Sequence, residues 1–357
     1  MSAHLPHLAT CRRPGRGPHR AFTLVEVLVV IAIIGLLVGL IVPAVNIARR
    51  SVQRAAIVFE VQALSNAVEQ YKTKFGDYPP DGSDRSVFER HFTKAFSNIA
   101  RSEFTALYAS ANSSSGAPTA IMDPPEALVF ALGGFSSDPI HPFTGKGGPL
   151  FLTNSAGVQV DSSQAFTSAQ YNVDRDSPLF DFKQGQLTLD ASSGLTVSSD
   201  EALLGAGATP DLMPVYTSGN GRLAPFVYFD SRTYRVGTSF YNFYRASNVG
   251  GVARPYKSDQ VNTTVSKTVN PDGHYRYAND RTFQIISAGL DDDFGGVPGL
   301  QQNQTPVFFR YPSGTSLDIV TGNSASSRYG EANGVASAQL DNATNFADGV
   351  LEDALEN

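Results

Sequence analysis

The chain has 357 residues, of which 41% are hydrophobic and 17% are charged, and its formal net charge is −6. Residues 1–21 contain four arginines and no acid, so removing them takes the charge of the remainder from −6 to −10. An acidic body argues against nucleic acid as a partner, because phosphate binding needs a basic surface. The single cysteine, Cys11, excludes an intramolecular disulfide.

Residues 27–48 form an apolar run without a single charge. About 20 such residues cross a bilayer as a helix. Arginines precede the run, which predicts a cytoplasmic N-terminus and places the bulk of the chain outside the cytoplasm. A secretory signal peptide is the competing interpretation, but its apolar core is shorter and a small-residue cleavage site follows it. The sequence favours a membrane helix with the remainder of the chain beyond it.

Glu26 lies at the start of this apolar run, where an acid is costly and usually has a partner. By itself it is better explained as an interfacial residue. The string of residues 20–26, Arg-Ala-Phe-Thr-Leu-Val-Glu, resembles the cleavage and methylation motif of type IV prepilins and type II secretion pseudopilins. The resemblance implies cleavage between Ala21 and Phe22, and Ala21 replaces the usual glycine. It also implies methylation of the Phe22 amine.

The same resemblance implies roles for two residues of the helix: Glu26 becomes the fifth residue of the mature chain, and Pro43 stands where the family commonly has a kinking proline. After cleavage, Glu26 of one subunit can neutralise the Phe22 ammonium of a neighbour in a medium of low dielectric constant. Such pairing fixes the axial register between subunits. The expected partners are prepilin peptidase, other pilin or pseudopilin subunits and an inner-membrane assembly platform. The expected location is the inner membrane, with a periplasmic globular domain.

Beyond the apolar run, small or apolar residues recur every three or four positions, namely Val52, Ala55, Phe59, Ala63, Ala67 and Tyr71. This spacing predicts an amphipathic helix that packs its apolar face on its own domain. Gly76 and the turn-forming residues 77–82 end it. The expected organisation is therefore a cleaved leader at 1–21, a helix at 22–75 and a globular domain at 76–357.

The globular region predicts short helices followed by strands. Helical spacing is visible within residues 84–135, where Asp123 and two prolines mark a helix start. Residues 179–183 and 186–190 flank Gln184-Gly185 and predict a hairpin. Further strands are expected at residues 226–229, 282–287 and 307–311. The predicted class is α+β: a long N-terminal transmembrane and spine helix with a C-terminal antiparallel β-sheet domain, a pilin-like fold.

Residues 283–296 resemble the last strand and the Gly-Asp-rich loop of the major pseudopilins, in which that loop binds calcium. Asp341 and Asn342 match the second element of that site. The expected calcium ligands are thus Asp291, Asp293, Asp341 and Asn342, with Asp292 facing solvent. Carboxylate and carbonyl oxygens suit this hard cation. The loop does not follow the EF-hand pattern, and a solvated acidic turn is the alternative.

No sequence pattern indicates an enzyme: the six histidines lack metal-ligand spacing, and neither a G-x-S-x-G elbow nor a Walker motif is present. The leading hypothesis is a structural subunit of a type II secretion pseudopilus-like filament. A minor pilin of a type IV pilus is the nearest alternative. A membrane-anchored periplasmic binding or adhesive module is a second class, and a tethered hydrolase is the weakest.

Overall fold

The computed structural model describes residues 23–110, 119–190, 197–198, 212–219, 221–237, 240–246, 249–295, 307–318 and 339–355. The chain divides into two compact units, with the boundary between Val52 and Gln53. Helix α1, Leu24–Phe75, contributes residues to both.

In the first unit, α1 begins at Leu24, and its large apolar side chains remain exposed, from Leu24 at 80% to Val45 at 42%. Within the described residues, α1 has the length and apolar composition required to cross a membrane. Pro43 lies inside the helix. Because proline has no amide hydrogen, the helical hydrogen bond from position 43 to the carbonyl of Gly39 is missing.

Within its described residues, the second unit contains the end of α1, five shorter helices and fourteen strands. The helices are α2 (Arg85–Ala95), α3 (Arg101–Ser110), α4 (Pro124–Leu132), α5 (Pro271–His274) and α6 (Leu351–Leu355). The strands are β1 (Leu150–Thr153), β2 (Gln159–Val160), β3 (Ser168–Tyr171), β4 (Leu189–Asp190), β5 (Val197–Ser198), β6 (Val227–Asp230), β7 (Arg235–Val236), β8 (Phe240–Tyr241), β9 (Lys257–Val261), β10 (Tyr275–Tyr277), β11 (Phe283–Ser287), β12 (Val307–Tyr311), β13 (Ser316–Asp318) and β14 (Ala343–Thr344).

The sheet that carries the core has the strand order β14-β11-β6, and both of its pairings are antiparallel. Ile285 of β11 pairs with Tyr228 of β6. A second sheet has the order β10-β9-β12-β13, in which the β9–β12 pairing is parallel. The remaining strands form a three-stranded β2-β1-β3 sheet and the pairs β4-β5 and β7-β8. The α+β class and the long N-terminal helix are confirmed, and the antiparallel expectation holds for every described pairing except β9–β12.

The α1 residues of the second unit bury one face in the main core, formed by Ile57, Val61, Leu64, Ala67, Val68 and Tyr71. They pack with aromatic side chains of α2 and α4, including Phe88, Phe92 and Phe130. Each fully buried side chain of this size contributes about 1.5–3 kcal/mol of transfer free energy. This face differs from the predicted stripe: Ala67 and Tyr71 are buried, whereas Ala55 and Phe59 are exposed. The predicted stripe advances almost entirely by four residues, whereas the buried residues Ile57, Val61, Leu64, Val68 and Tyr71 alternate steps of four and three, so the two lines meet only near Ala67 and Tyr71.

Strands expected near 226–229, 282–287 and 307–311 are present as β6, β11 and β12. The hairpin expected around Gln184-Gly185 is wrong. Residues Gln184–Gln186 form a short 3₁₀ helix, and β4 pairs with β5 instead. The amides of Leu179 and Phe180 both donate to the carbonyl of Leu132 at the end of α4. The backbone hydrogen bonds of this stretch are therefore made to a helix terminus rather than to a neighbouring strand.

Candidate functional site

The start of α1 has a reciprocal capping arrangement. The backbone amide of Thr23 donates to Glu26 Oε2 at 2.8 Å, and its hydroxyl donates to the same oxygen at 2.9 Å. The amide of Glu26 in turn donates to Thr23 Oγ1 at 3.2 Å. This is a capping box, in which a Thr and the Glu three residues later satisfy each other's free amides at a helix start. The pattern that indicates it, Thr-x-x-Glu before an apolar run, is present in the sequence, although the sequence analysis assigned Glu26 only to the prepilin motif.

The predicted cleavage residues Ala21 and Phe22 lie outside the described residues, which begin at Thr23. The third member of the motif, Glu26, is exposed at the helix start. In an unassembled chain its carboxylate has hydrogen-bond partners within its own helix, and it contacts no charged side chain within the described part of the chain.

The acidic loop after β11 is organised by its own backbone. Asp291 Oδ1 accepts from the amide of Asp293 at 2.9 Å, and Asp293 Oδ1 accepts from the amide of Gly295 at 2.7 Å. Asp292 was expected to face solvent, but it is half-buried and its Oδ1 accepts from the amide of Ala224 at 3.1 Å. Its φ of +57° turns the chain sharply, which explains why the three successive acids point to different partners.

The second predicted element lies directly beside this loop. Asp341 Oδ2 accepts from the amide of Leu290 at 2.6 Å. A Cβ at Gly289, which has a φ of +69°, would lie 2.3 Å from the carbonyl oxygen of Asp341, so this close approach requires glycine. Strand β14 follows immediately and pairs with β11. The structure therefore brings two of the segments that supply the predicted ligands together across about 50 residues of sequence.

Two side-chain oxygens in this region are buried without a hydrogen-bond partner. Asp341 is 8% exposed and Asn342 is fully buried, and their Oδ1 atoms are both unpaired. The amide nitrogen of Asn342 is used, since it donates to Tyr256 Oη at 3.2 Å and to the carbonyl of Phe294 at 3.1 Å. A buried, unpaired oxygen costs about 1–3 kcal/mol unless something binds it. These are the oxygen donors that a hard cation prefers.

The electrostatic environment of this loop disfavours the ionised form of two of its carboxyl groups. Partial burial of the carboxyl group, together with the charge of Asp341, raises the pKa of Asp291 to about 6. Burial also raises the pKa of Asp341. A nearby cation would reverse both effects. Nevertheless, no group of three or more His, Cys, Asp or Glu side chains within the described ranges has an arrangement that holds a metal ion. The donor chemistry fits calcium, with Asn342 and backbone carbonyls needed to supplement the carboxylates.

Sequence reasoning missed a buried polar network where the chain leaves α1. Asp81, which is fully buried, accepts from the Thr233 hydroxyl at 2.7 Å, the Asp230 amide at 3.0 Å and Asn242 Nδ2 at 2.9 Å. Arg232 contacts Asp230 Oδ2 at 2.6 Å, and its Nη1 contacts Asp77 Oδ2 at 2.8 Å. The network ties the turn after the spine helix to the end of β6. The sequence indicated only the turn-forming residues 77–82 of this network and did not indicate their partners at residues 230–242.

A second polar cluster contains the residue types of a catalytic triad in an unsuitable geometry. Glu103 is fully buried and accepts from the amides of Phe143 and Thr144 at 2.6 and 3.0 Å. Ser162 Oγ donates directly to Glu103 Oε1 at 2.6 Å, and both approach the same ring nitrogen of His141. In a triad the acid and the serine contact opposite ring nitrogens. This cluster therefore anchors the loop that follows α4.

The N-terminal region defines the class of protein. Residues 16–42 match a family profile described as the prokaryotic N-terminal methylation motif. This match, the long unburied helix and the strands that follow identify the segment as that of type IV pilin-like proteins, the family of pilins and pseudopilins. It is a family of structural subunits rather than enzymes.

Two relatives with the same name make the resemblance more specific. The chain is 38% identical over 64 residues to the type II secretion system core protein G of Klebsiella michiganensis, which covers 18% of this chain and 45% of that protein. It is 40% identical over 60 residues to the protein of the same name from Escherichia coli K12, covering 17% and 41%. The matched segment thus covers less than half of the length of each of these relatives. No solved structure matches it.

Proposed function

We propose that this chain is a structural subunit of a type II secretion pseudopilus-like filament, processed by prepilin peptidase and assembled through its N-terminal helix. The observation that carries the proposal is Glu26 at the start of a long, unburied apolar helix, within residues that match the methylation motif. An acid at that position is costly in a membrane unless it has a partner. A neighbouring subunit with a free amino group on Phe22 provides one.

The capping box gives this assembly step a defined starting state. Before assembly, the Thr23 amide and hydroxyl hold the Glu26 carboxylate on its own helix. On assembly, the same carboxylate gains the ammonium of the next subunit, and Thr23 keeps it oriented. The carboxylate therefore gains a charged partner without losing its cap, and an ionised acid without such a partner is costly in a membrane. The arrangement favours the assembled register over an unpaired one.

The orientation that we propose follows from charge. The arginines of residues 1–21 stay in the cytoplasm, residues 27–48 cross the inner membrane once, and the globular domain lies in the periplasm. Cleavage before Phe22 removes the basic leader. The proposed partners are accordingly prepilin peptidase, other subunits of the filament and an inner-membrane assembly platform.

Two alternatives compete with the pseudopilus. The relatives named core protein G favour the secretion system, but this chain is more than twice as long as those relatives, a length that suits a minor subunit. A minor pilin of a type IV pilus would share the same motif and helix. Co-purification with a secretion ATPase and a secretin supports the pseudopilus, whereas retention of a ligand by the isolated globular unit supports a membrane-anchored binding or adhesive module.

We also propose that the loop at residues 291–295 and the segment at 341–342 bind calcium. The support comes from two buried oxygens without partners, on Asp341 and Asn342, next to a loop that concentrates three carboxylates. Asp291, Asp293, Asp341 and Asn342 are the proposed ligands. A bound divalent cation supplies the missing electrostatic partner and would fix the loop against β14.

The decisive test of the filament proposal is the mature N-terminus combined with assembly. Full-length protein is expressed with prepilin peptidase and the assembly components, and filaments sheared from the cells are analysed by mass spectrometry. We expect a mature chain that begins at methylated Phe22 in the filament fraction. A chain that is cleaved elsewhere, or that never enters filaments, contradicts the proposal.

A further inference from the structure

The spine helix of the second unit keeps part of its apolar surface uncovered. Phe59 is 76% exposed, and Ala55 and Ala56 beside it are exposed as well. We call these three residues the spine strip. A single exposed apolar side chain needs no explanation, but Phe59 also lines a depression.

The depression has a volume of about 700 Å³ and lies between the spine helix and two loop segments. One wall is formed by Ala56, Phe59, Glu60 and Ala63 of the helix. The other is formed by Phe180, Lys183, Gly185, Gln186, Ser218 and Gly219. We call it the spine groove. Small residues on both walls, such as Ala63 and Gly185, allow a helix backbone to approach closely.

The one acid in the spine groove does not make it polar. Glu60 accepts from Tyr216 Oη at 2.6 Å and pairs with Lys183 Nζ at 3.3 Å, and only 13% of its side chain is exposed. Its charge is therefore already neutralised. The exposed part of the groove is mainly apolar and suits an apolar partner.

Lipid does not cover the spine groove. Arg49 and Arg50 follow the apolar run of α1, and Phe59 comes nine residues after Arg50. Arginines at the end of an apolar span mark the edge of the hydrocarbon layer, because the bilayer interior excludes them. Phe59 is consequently beyond the reach of the acyl chains, so a partner that covers the spine groove is a protein surface rather than lipid.

An acidic depression flanks the spine groove on the other side of the 180–187 segment. It has a volume of about 540 Å³, and its lining includes Asp174, Asp176 and Asp181, all of which are exposed. Two cations also line it, but Arg175 donates to the backbone carbonyls of Val129 and Gly134, and Lys183 pairs with Glu60, so the exposed acids are in excess. The two depressions share Phe180 and Lys183. A partner that fits both surfaces has an apolar face next to basic side chains.

Each copy of this chain carries such a segment. Val45, Ala48 and Val52 recur at three and four residues on α1, and Val45 and Val52 are exposed. Arg49 and Arg50 lie within the same two turns and are exposed. The spacing is that of a helix seam that packs against another helix.

We propose that the spine groove binds the segment 45–52 of helix α1 from a second copy of this chain, with Arg49 and Arg50 of that copy facing the acidic depression. The proposal rests on the proposed filament function and adds to it a specific surface on the globular unit, formed by loops outside the methylation motif. Opposite charges at the rim fix the register, while the apolar contact supplies the affinity.

The test uses the full chain in cells that assemble filaments. Phe59→Asp places a charge in the spine groove, and Val269→Asp is the matched control because Val269 is 84% exposed on the same unit and outside the groove. We expect Phe59→Asp to reduce filament incorporation about tenfold or more, since burying a carboxylate against an apolar helix is costly, with cleavage and thermal stability unchanged. Val269→Asp should assemble like the wild type.

A cross-linking pair checks the contact without disturbing the groove. Cys11 is replaced by Ser, and Arg50→Cys is combined with Asp181→Cys; oxidation should yield covalent dimers and a ladder of larger adducts. Arg50→Cys with Val269→Cys should yield none. Glu26→Val is the control showing that filament formation depends on the N-terminal helix. If filaments that this variant abolishes form normally with Phe59→Asp, and the Arg50→Cys/Asp181→Cys pair does not cross-link in them, the proposed surface is wrong and the filament function stands. Adducts to a different protein also overturn the proposal. Wild-type chains that form no filament at all overturn the function itself.

Discussion

Glu26 and Thr23 hold each other at the first turn of α1, through two hydrogen bonds of 2.8 and 2.9 Å to the same carboxylate oxygen and a third at 3.2 Å in the opposite direction. Glu26 therefore has two roles. It caps its own helix, and it remains the negative partner that the proposed neighbour's ammonium requires.

Replacing Glu26 with Val should leave insertion and cleavage intact, because the apolar run is unchanged. Filament incorporation should fall strongly, since removing one member of a buried pair costs about 3–5 kcal/mol. Thr23→Val is the matched control: it loses one cap, worth about 1 kcal/mol, and should assemble with a mild defect. Quantitative immunoblots of sheared filaments separate the two, and equal incorporation of both variants would assign Glu26 to the cap alone.

Cleavage should occur between Ala21 and Phe22, although a glycine is usual before the cut. Ala21→Gly should raise the rate of processing, because a smaller side chain fits the same site at least as well, whereas Ala21→Leu should block it. Pulse-chase labelling followed by mass spectrometry of the N-terminus measures both. Processing that is indifferent to the size of residue 21 would contradict the assignment of the cut.

Calcium should stabilise a soluble fragment that starts near Ser51, because a ligand that binds only the folded state raises its melting temperature by mass action. Asp291→Ala with Asp293→Ala should remove the effect. Asp138→Ala is a control on another exposed loop, whose Oδ1 accepts one amide. Melting that ignores both millimolar calcium and chelator would favour the solvated acidic turn.

The calcium response should depend on pH in a defined direction. Partial burial and the charge of Asp341 raise the pKa of Asp291 to about 6. Protons therefore compete with the cation below that pH, so the calcium-induced rise in melting temperature should be large at pH 7.5 and small at pH 5. Calorimetry at the two pH values measures it, and an equal rise at both would show that Asp291 is not a ligand.

Asp230 should make the same fragment less stable as the pH rises. Burial raises the pKa of Asp230 to about 7, so the folded state retains a proton that the unfolded state loses near pH 4. The free energy of unfolding should decrease between about pH 4 and 7, by a few kcal/mol at about 1.4 kcal/mol per pKa unit, and then level off. Asp230→Asn should flatten this slope in urea denaturation, while an unchanged slope would assign it to other groups.

The N-terminal part of the protein was predictable because its signals are local. Charge asymmetry, an unbroken apolar run and the residues around Glu26 each act within a few turns of helix. Strands β6, β11 and β12 were also recognisable, since each has at least three apolar or aromatic residues within four or five positions. Long-range contacts were not. The Leu132 carbonyl at the end of α4 satisfies residues 179–180, which the local pattern assigned to a hairpin.

The buried side of the spine helix was equally beyond local reasoning. Phe59 fits the apolar spacing as well as Tyr71, and only the positions of α2 and α4 decide that Tyr71 is buried and Phe59 is exposed. Likewise, Asp81 looked like a turn residue, and its role depends on Thr233 and Asn242, which lie more than 150 positions later. When the hydrogen-bond partners of a side chain are distant in sequence, the residues next to it carry no signal of its role.

The pairing of β14 with β11, together with the burial of Leu351 in α6, has a consequence for biogenesis. In the orientation that we propose, the sheet that carries the core cannot form completely until residues near 350 have been translocated, although the spine helix against which that core packs precedes them in the chain. Until then the apolar face of the spine helix and one edge of β11 lack their partners, and such surfaces are prone to aggregation. The proposed membrane anchor would restrict each growing chain during this interval, so the helix that we propose to join subunits would first limit their contact.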